Sequence, residues 1–298
     1  MLDYPENIKH YLDSTFLKTS FELDVKDDEL KQQITDFIIE AIDYQFKCVM
    51  IRPKFVALAK EIKDKRKSKI HIGTVIDFPL GQSSCSEKIS QAKKALDAGA
   101  KELDFVCDYN MFKRNSLDDF DDSIIKCTSF SLKGKAIVKW IIETGALSKK
   151  EIKSISKRIY DLVLANFPNN ISKVYIKTST GYYGGLGATV KDLKIIKSVV
   201  GEMPVKASGG VSSFKNAMEM IDLGVSRIGT SKAKKILEDV NIDVSVLSLS
   251  FFPKDKRVSK NVINEILKYE KILTIFFISL LFFLIQWGCS FYYLNEEI

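Results

Sequence analysis

Val174-Tyr175-Ile176-Lys177-Thr178-Ser179-Thr180-Gly181 begins as a strand and ends as a turn. Val, Tyr and Ile are the β-branched and aromatic types that favour a pleated strand. A lysine then stands where the strand is still expected to be buried, and small hydroxyl residues and a glycine follow. An unpaired ammonium is costly to bury, so such a lysine is paired, deprotonated or chemically active. The plain alternative is a lysine at the end of an edge strand that reaches solvent. The same pattern recurs in Val138-Lys139-Trp140-Ile141-Ile142 and in Pro204-Val205-Lys206-Ala207-Ser208-Gly209-Gly210. Three lysines on three strands of one repeating pattern point to a shared site.

Outward from this stretch, strands alternate with helices in both directions. Strands are expected at 11–16, 46–51, 70–76, 102–107, 135–142, 173–177, 203–207 and 225–228. Between them lie helical patterns: Leu30, Ile34, Phe37, Ile38 and Ala41 recur at helical spacing, and Pro53 opens a second helix. Ser84 or Ser86, Ser148, Thr189, and Ser212 or Ser213 read as N-caps of later ones. The basic run at 63–69 is a solvated helix end. Eight strand–helix units in about 240 residues fit a closed parallel (β/α)8 barrel, the TIM-barrel architecture. An open doubly wound sheet is the alternative, but the first unit carries no dinucleotide fingerprint.

The 298 residues are 46% hydrophobic, enough for a sizeable core, and carry a net charge of +7. The excess is spread along the chain with no arginine-rich arm. That gives no indication of nucleic-acid binding and suits a small anionic substrate. Cys48, Cys85, Cys107, Cys127 and Cys289 are odd in number and have no metal-ligand spacing, so free thiols in the reducing cytoplasm are expected. Two histidines, His10 and His71, argue against a histidine-rich metal centre. The N-terminus has no apolar signal, and Asp3 and Glu6 do not suit a transit peptide.

The barrel is expected within 1–250, and 251–298 forms an extension outside the pattern. Its run at 272–294 is uncharged, dense in Phe, Leu and Ile, and long enough to cross a bilayer. Lysines before it and glutamates after it would leave the barrel on the cytosolic side. Three readings stand: a tail anchor, an extra packing helix, or translated noncoding sequence. Membrane contact follows only from the first.

In such a barrel the active site lies at the C-terminal strand ends. Asp13, Asp104, Lys139, Lys177 and Lys206 would meet there. Crowded, desolvated lysines lose their protons more easily, and a neutral amine adds to carbonyls to form a Schiff base. An aspartate with a held water can move the protons of that cycle. Gly209-Gly210 and Gly229-Thr230-Ser231 each precede a helix late in the chain, where backbone N–H groups bind phosphate. The loop at 184–187 could add more; a tight turn is the plain reading of each glycine pair.

Residues 11 to about 238 resemble the deoxyribose-phosphate aldolases, block by block and in order. The matches include Leu12-Asp13-Ser14-Thr15-Phe16-Leu17, Cys48-Val49-Met50-Ile51-Arg52-Pro53, Phe78-Pro79-Leu80-Gly81 and Gly99-Ala100-Lys101-Glu102-Leu103-Asp104. They continue through Lys139-Trp140-Ile141-Ile142-Glu143-Thr144, Lys177-Thr178-Ser179-Thr180-Gly181, Lys206-Ala207-Ser208-Gly209-Gly210 and Arg227-Ile228-Gly229-Thr230-Ser231. The lysine-bearing blocks at 177 and 206, in this order, are the most specific. The resemblance implies reversible cleavage of 2-deoxy-D-ribose 5-phosphate, with no metal or organic cofactor. It implies Lys177 as nucleophile, Lys206 as the lysine that depresses its pKa, and Asp104 as acid/base with water. Lys139 and Asp13 would support them, Thr15 and Thr178 line the mouth, and Gly209, Gly210, Gly229 and Ser231 hold the phosphate. A small phosphosugar is the implied partner, and a homodimer is expected by analogy.

Three positions depart from the family pattern. Ser14 replaces a common histidine, Gln91 stands where many members have glutamate, and Tyr182 follows the Lys177 block. The extension has no counterpart in the family. Competing readings are another Schiff-base phosphosugar aldolase, a non-catalytic phosphosugar-binding protein, and a structural membrane protein.

Overall fold

Apolar residues two apart along each strand share one face. Leu103 with Phe105, Val138 with Trp140, and Val174 with Ile176 are all fully buried, in one cluster with helix residues such as Ile34, Ile38, Ile152 and Ile159. This outward face of the sheet is where helices dock. The computed structural model describes residues 8–239. Its strands are β1 (Leu12–Phe16), β2 (Cys48–Ile51), β3 (His71–Ile76), β4 (Glu102–Val106), β5 (Ile137–Ile141), β6 (Val174–Lys177), β7 (Val205–Ser208) and β8 (Arg227–Thr230). Each pairs in parallel with the next and β8 pairs with β1, so among the described residues eight strands close a barrel. The (β/α)8 expectation holds.

The helices are α1 (Ser20–Leu23), α2 (Asp27–Asp43), α3 (Val56–Lys65), α4 (Cys85–Asp97), α5 (Tyr109–Lys113), α6 (Leu117–Lys133), α7 (Lys149–Asn166), α8 (Val190–Lys197) and α9 (Phe214–Asp222). Residues 233–239 are also helical. Ser84 caps α4 and Ser148 caps α7, each in a capping box with the glutamate three residues on. Thr189 caps α8, and Ser213, not Ser212, caps α9. Helices α1 and α5 carry no sequence signal of periodicity because they are too short for an apolar stripe. Local caps set them: Thr19 with Glu22, and Asp108 accepting from the Met111 N–H.

One boundary matters for the site. Strand β8 runs on to Thr230, so Gly229 lies in the sheet opposite Asp13 and Ser208 and not in the expected loop. A Cβ on Gly229 would lie 2.9 Å from Lys206 Cε and 3.0 Å from Ser208 Cβ. The glycine makes room for the lysine; turn geometry does not require it.

Most inward positions are charged. Register and contacts set them in layers from alternate strands. Cys48, Glu102, Tyr175 and Arg227 come from even strands, Asp13, Gly73, Lys139 and Lys206 from odd ones, and Met50, Asp104, Lys177 and Gly229 again from even ones. On the β1–β3 side, Cys48 and Met50 of these layers join Leu17 and Val75 in a separate small apolar cluster with Phe78 against it.

Among the described residues no helix is long and apolar enough to cross a membrane. The extension at 251–298 and its apolar run at 272–294 lie outside the described residues.

Arg227 is the cation shared by Asp13 and Glu102. Arg227→Leu would leave both buried carboxylates short of a partner, which costs about 3–5 kcal/mol. Urea unfolding at neutral pH reads that loss. The deficit shrinks in mild acid, where the stranded carboxylates take up protons.

Candidate active site

Register brings three lysines to one carboxylate. Asp104 in β4 lies beside Lys139 in β5, and Lys177 in β6 lies beside Lys206 in β7. Lys139 Nζ donates to Asp104 Oδ1 at 2.6 Å. Lys177 Nζ and Lys206 Nζ both donate to Oδ2 at 2.9 Å. Lys177 is 3% exposed and the other three are fully buried.

A second ring of charges surrounds this group. Lys206 Nζ is 2.6 Å from Asp13 Oδ2, at an angle poor for a hydrogen bond. Lys139 Nζ is 2.7 Å from Glu102 Oε2. The Arg227 guanidinium donates from Nε to Asp13 Oδ1 at 2.7 Å and from Nη2 to Glu102 Oε2 at 3.0 Å. Lys139, Lys206 and Arg227 therefore each touch two carboxylates. Lys177 touches one, and shares its oxygen. Three carboxylates balance three cations, and Lys177 is the surplus charge.

The pKa shifts follow from this arrangement. Burial pushes the Lys177 ammonium down to about 8; Asp104 opposes the shift and the Lys206 charge adds to it. Burial would also depress Lys139, but Asp104, Glu102 and Asp13 outweigh it and raise its pKa. Burial would raise Asp104, yet the ammonium groups of Lys139, Lys177 and Lys206 hold it well below the usual carboxylate range. The expectation that crowded lysines repel is therefore only part of the account. Desolvation is the larger cause, and the carboxylates outweigh it at Lys139 but not at Lys177.

The remaining predicted site residues fall at different distances from this centre. Thr15 is half-buried and its hydroxyl donates to the Asp13 carbonyl at 2.9 Å. Thr178 is fully buried: its hydroxyl donates to the Ser208 carbonyl and accepts from the Ser208 N–H. It ties β6 to β7 and offers no free hydroxyl to the mouth, contrary to expectation. Gly209 and Gly210 take left-handed φ values of 86° and 75°. Gly187 packs so close to Gly209 that a Cβ there would meet Gly187 Cα at 2.8 Å. Ser231 is exposed in the turn after β8.

Sequence reasoning missed three charged members of the site. Glu102 and Arg227 belong to the second ring, and the two-residue spacing of Glu102 and Asp104 on one strand is a legible sign that both point inward. Glu143 is the third. It adopts φ 57° and accepts from the Thr180 N–H at 3.1 Å and from the Thr180 hydroxyl, which anchors the loop after β6. Its other oxygen is buried without a partner, and burial raises its pKa against those hydrogen bonds. Of the departures from the family pattern, Gln91 is explained: its Oε1 accepts from the Asp77 N–H at 2.8 Å, as a glutamate oxygen would. Ser14 is buried.

Asp13, Cys48 and Glu102 place potential ligand atoms within 4.8 Å of one another. They do not suit a metal ion. Both carboxylates are already paired, Asp13 with Arg227 and Lys206 and Glu102 with Arg227 and Lys139, and burial holds the Cys48 thiol protonated.

The chain is 35% identical over 232 residues to the deoxyribose-phosphate aldolase of Thermococcus kodakarensis, covering 78% of this chain and 96% of that one. It is 36% identical over 233 residues to deoxyribose-phosphate aldolase 1 of Oceanobacillus iheyensis, with the same coverage. The chain belongs to the deoxyribose-phosphate aldolase family. It is thus an aldolase, a carbon–carbon lyase. Among solved structures it resembles the aldolase QR15, with TM-score 0.68 and 29% identity over 83% of this chain and all of that one. The tetrameric deoxyribose phosphate aldolase of Aeropyrum pernix matches with TM-score 0.65 and 27% identity, over 80% and 93% of the two chains. No family model matches the sequence.

Two outcomes follow for this aldolase. An amine titrating about 8 is roughly one-tenth neutral at pH 7, against a few parts in ten thousand for an ordinary lysine. Reductive capture of a small aldehyde on Lys177, followed by peptide mass, should rise about tenfold per pH unit below 8 and level off above it. Gly229→Ala keeps the backbone N–H but pushes on Lys206. It should lower kcat by roughly a hundredfold with little change in affinity for inorganic phosphate, whereas a purely phosphate-holding glycine would show the reverse.

Proposed function

We propose that the chain cleaves 2-deoxy-D-ribose 5-phosphate reversibly to D-glyceraldehyde 3-phosphate and acetaldehyde through an imine on Lys177. The observation that carries this reading is the buried Lys177 amine, titrating about 8 and bound through one shared carboxylate oxygen. Such an amine is a nucleophile near neutral pH, while its neighbours Lys139 and Lys206 are each held by two acids.

In this reading the neutral Lys177 amine adds to C1 of the open-chain sugar, and loss of water gives a protonated imine. Deprotonation of the C3 hydroxyl then breaks the C2–C3 bond. The bonding pair moves into the imine to form an enamine, and glyceraldehyde 3-phosphate leaves with C3 as its aldehyde. Protonation at C2 and hydrolysis release acetaldehyde and the free amine. Asp104, kept ionised by its three ammonium neighbours, is the proton acceptor acting with water, and Lys206 relays protons beside it. Lys139 and Asp13 hold that pair in place, and Thr15 and Thr178 brace the strand ends around it. The phosphate sits on the N–H groups of Gly209 and Gly210 with Ser231 beside them. Gly229, expected among the phosphate ligands, leaves Lys206 its space instead.

A Schiff-base aldolase for another phosphosugar would use the same amine, so the substrate needs its own test. The wild-type protein is reduced with borohydride in the presence of deoxyribose 5-phosphate and mapped by mass, with Lys177→Ala as control. An adduct on Lys177 in the wild type alone is expected. Its absence at saturating sugar phosphate would rule out the imine and favour a binding protein.

A further inference from the structure

Lys177 is 3% exposed and Lys206 is fully buried, so the amine meets solvent over very little of its surface. One segment spans the approach. The loop after β6 carries Tyr182, whose contacts are on the opposite side of the ring of strands, four positions away around β2. The Tyr182 hydroxyl donates to the carbonyl of Leu17, just beyond β1, at 3.0 Å. Its ring meets the edge of Phe78, just beyond β3, at 5.0 Å and 82°. The guanidinium of Arg52, just beyond β2, lies 5.1 Å from the Phe78 ring centre and 5.8 Å from that of Tyr182.

We propose that Tyr182 is the latch of a lid that closes the mouth over Lys177 and swings aside to admit substrate. Three features suit the segment to that motion. Gly181 precedes it with φ 82°, and Gly184 and Gly185 follow with φ 55° and 71°; a Cβ on either of the last two would touch nothing within 4 Å. Both roots of the loop are fixed, Thr180 by Glu143 and Gly187 against Gly209, so the swing is confined to the stretch between them. Release also strands no buried group. The Leu17 carbonyl keeps the Arg52 Nε–H, which donates to it at 2.7 Å, and the half-exposed tyrosine hydroxyl passes to water. The closed ring excludes water from the amine, which sustains the desolvation that lowers its pKa.

The proposal rests on Lys177 being the nucleophile, so its test does not depend on turnover. Reductive methylation with formaldehyde and cyanoborohydride is followed by peptide mass in wild type, Tyr182→Phe and Tyr182→Ala, at about pH 9.5, where the wild-type amine is almost fully neutral and any rise of its pKa on opening works against the faster reaction expected. The exposed Lys150 serves as internal reference. Relative to Lys150, Lys177 should react about fivefold faster in Tyr182→Phe, which loses only the hydroxyl. It should react at least about tenfold faster in Tyr182→Ala, which loses the closed state. Equal Lys177 rates in wild type and Tyr182→Phe, with unchanged melting, overturn the lid; this pair carries the test if Tyr182→Ala does not fold. Cleavage of deoxyribose 5-phosphate with a flat methylation series refutes the latch alone. The methylation contrast without cleavage keeps the latch and refutes the substrate.

Discussion

Asp104 holds three ammonium groups on two oxygens, and the inside of the barrel is arranged around that carboxylate. Removing ions from water costs several kcal/mol each, and ion pairs repay it only when every charge is well partnered. The interior meets that condition through Arg227, Asp13 and Glu102, which close the outer ring of contacts. Little net stability is expected from such a cluster. The fold rests instead on the opposite face of the same strands, where apolar residues pack under the helices. The two periodic faces of one sheet thus divide the work, with stability outside and chemistry inside.

Selection of one lysine out of three is a matter of partner count. Burial pulls the pKa of both Lys139 and Lys177 down, yet only the one with a single shared oxygen ends below its ordinary value. Lys139 answers burial with Glu102 and Asp104 at 2.7 and 2.6 Å. The outer ring of Asp13, Glu102 and Arg227 therefore acts on the amine without touching it: its acids are taken up by Lys139, Lys206 and Arg227, which leaves Lys177 as the surplus cation.

Most of this was legible in the chain. Strand–helix alternation gave the barrel, and lysines at buried strand positions gave Asp104, Lys139, Lys177 and Lys206 as neighbours. What escaped is physically specific. Helices α1 and α5 are too short to carry periodicity. Gly229 looks like a turn residue because glycines usually are, but here the missing side chain faces Lys206, a contact made across strands. Thr178 looks like a mouth residue because it follows Lys177; alternation turns it away, and its hydroxyl is spent on Ser208. Arg227 pairs with residues 214 and 125 positions earlier in the chain, separations that no local pattern reveals.

The mouth itself is chemically divided, and this bears on the direction of proton flow in the proposed cycle. Lys139, Lys177 and Lys206 occupy one arc with Asp104, while Leu17, Met50, Val75 and Phe78 line the arc from β1 to β3. A carboxyl held well below its usual range accepts protons only briefly and carries none at rest. Asp104 therefore cannot be the stored acid that protonates the enamine. In the proposed cycle the proton for C2 would come from Lys206 or from water beside it, since Lys206 lies 2.9 Å from the same Asp104 oxygen as Lys177. In that cycle Asp104 would then be the relay through which Lys206 is recharged, a role that its contact with both lysines suits.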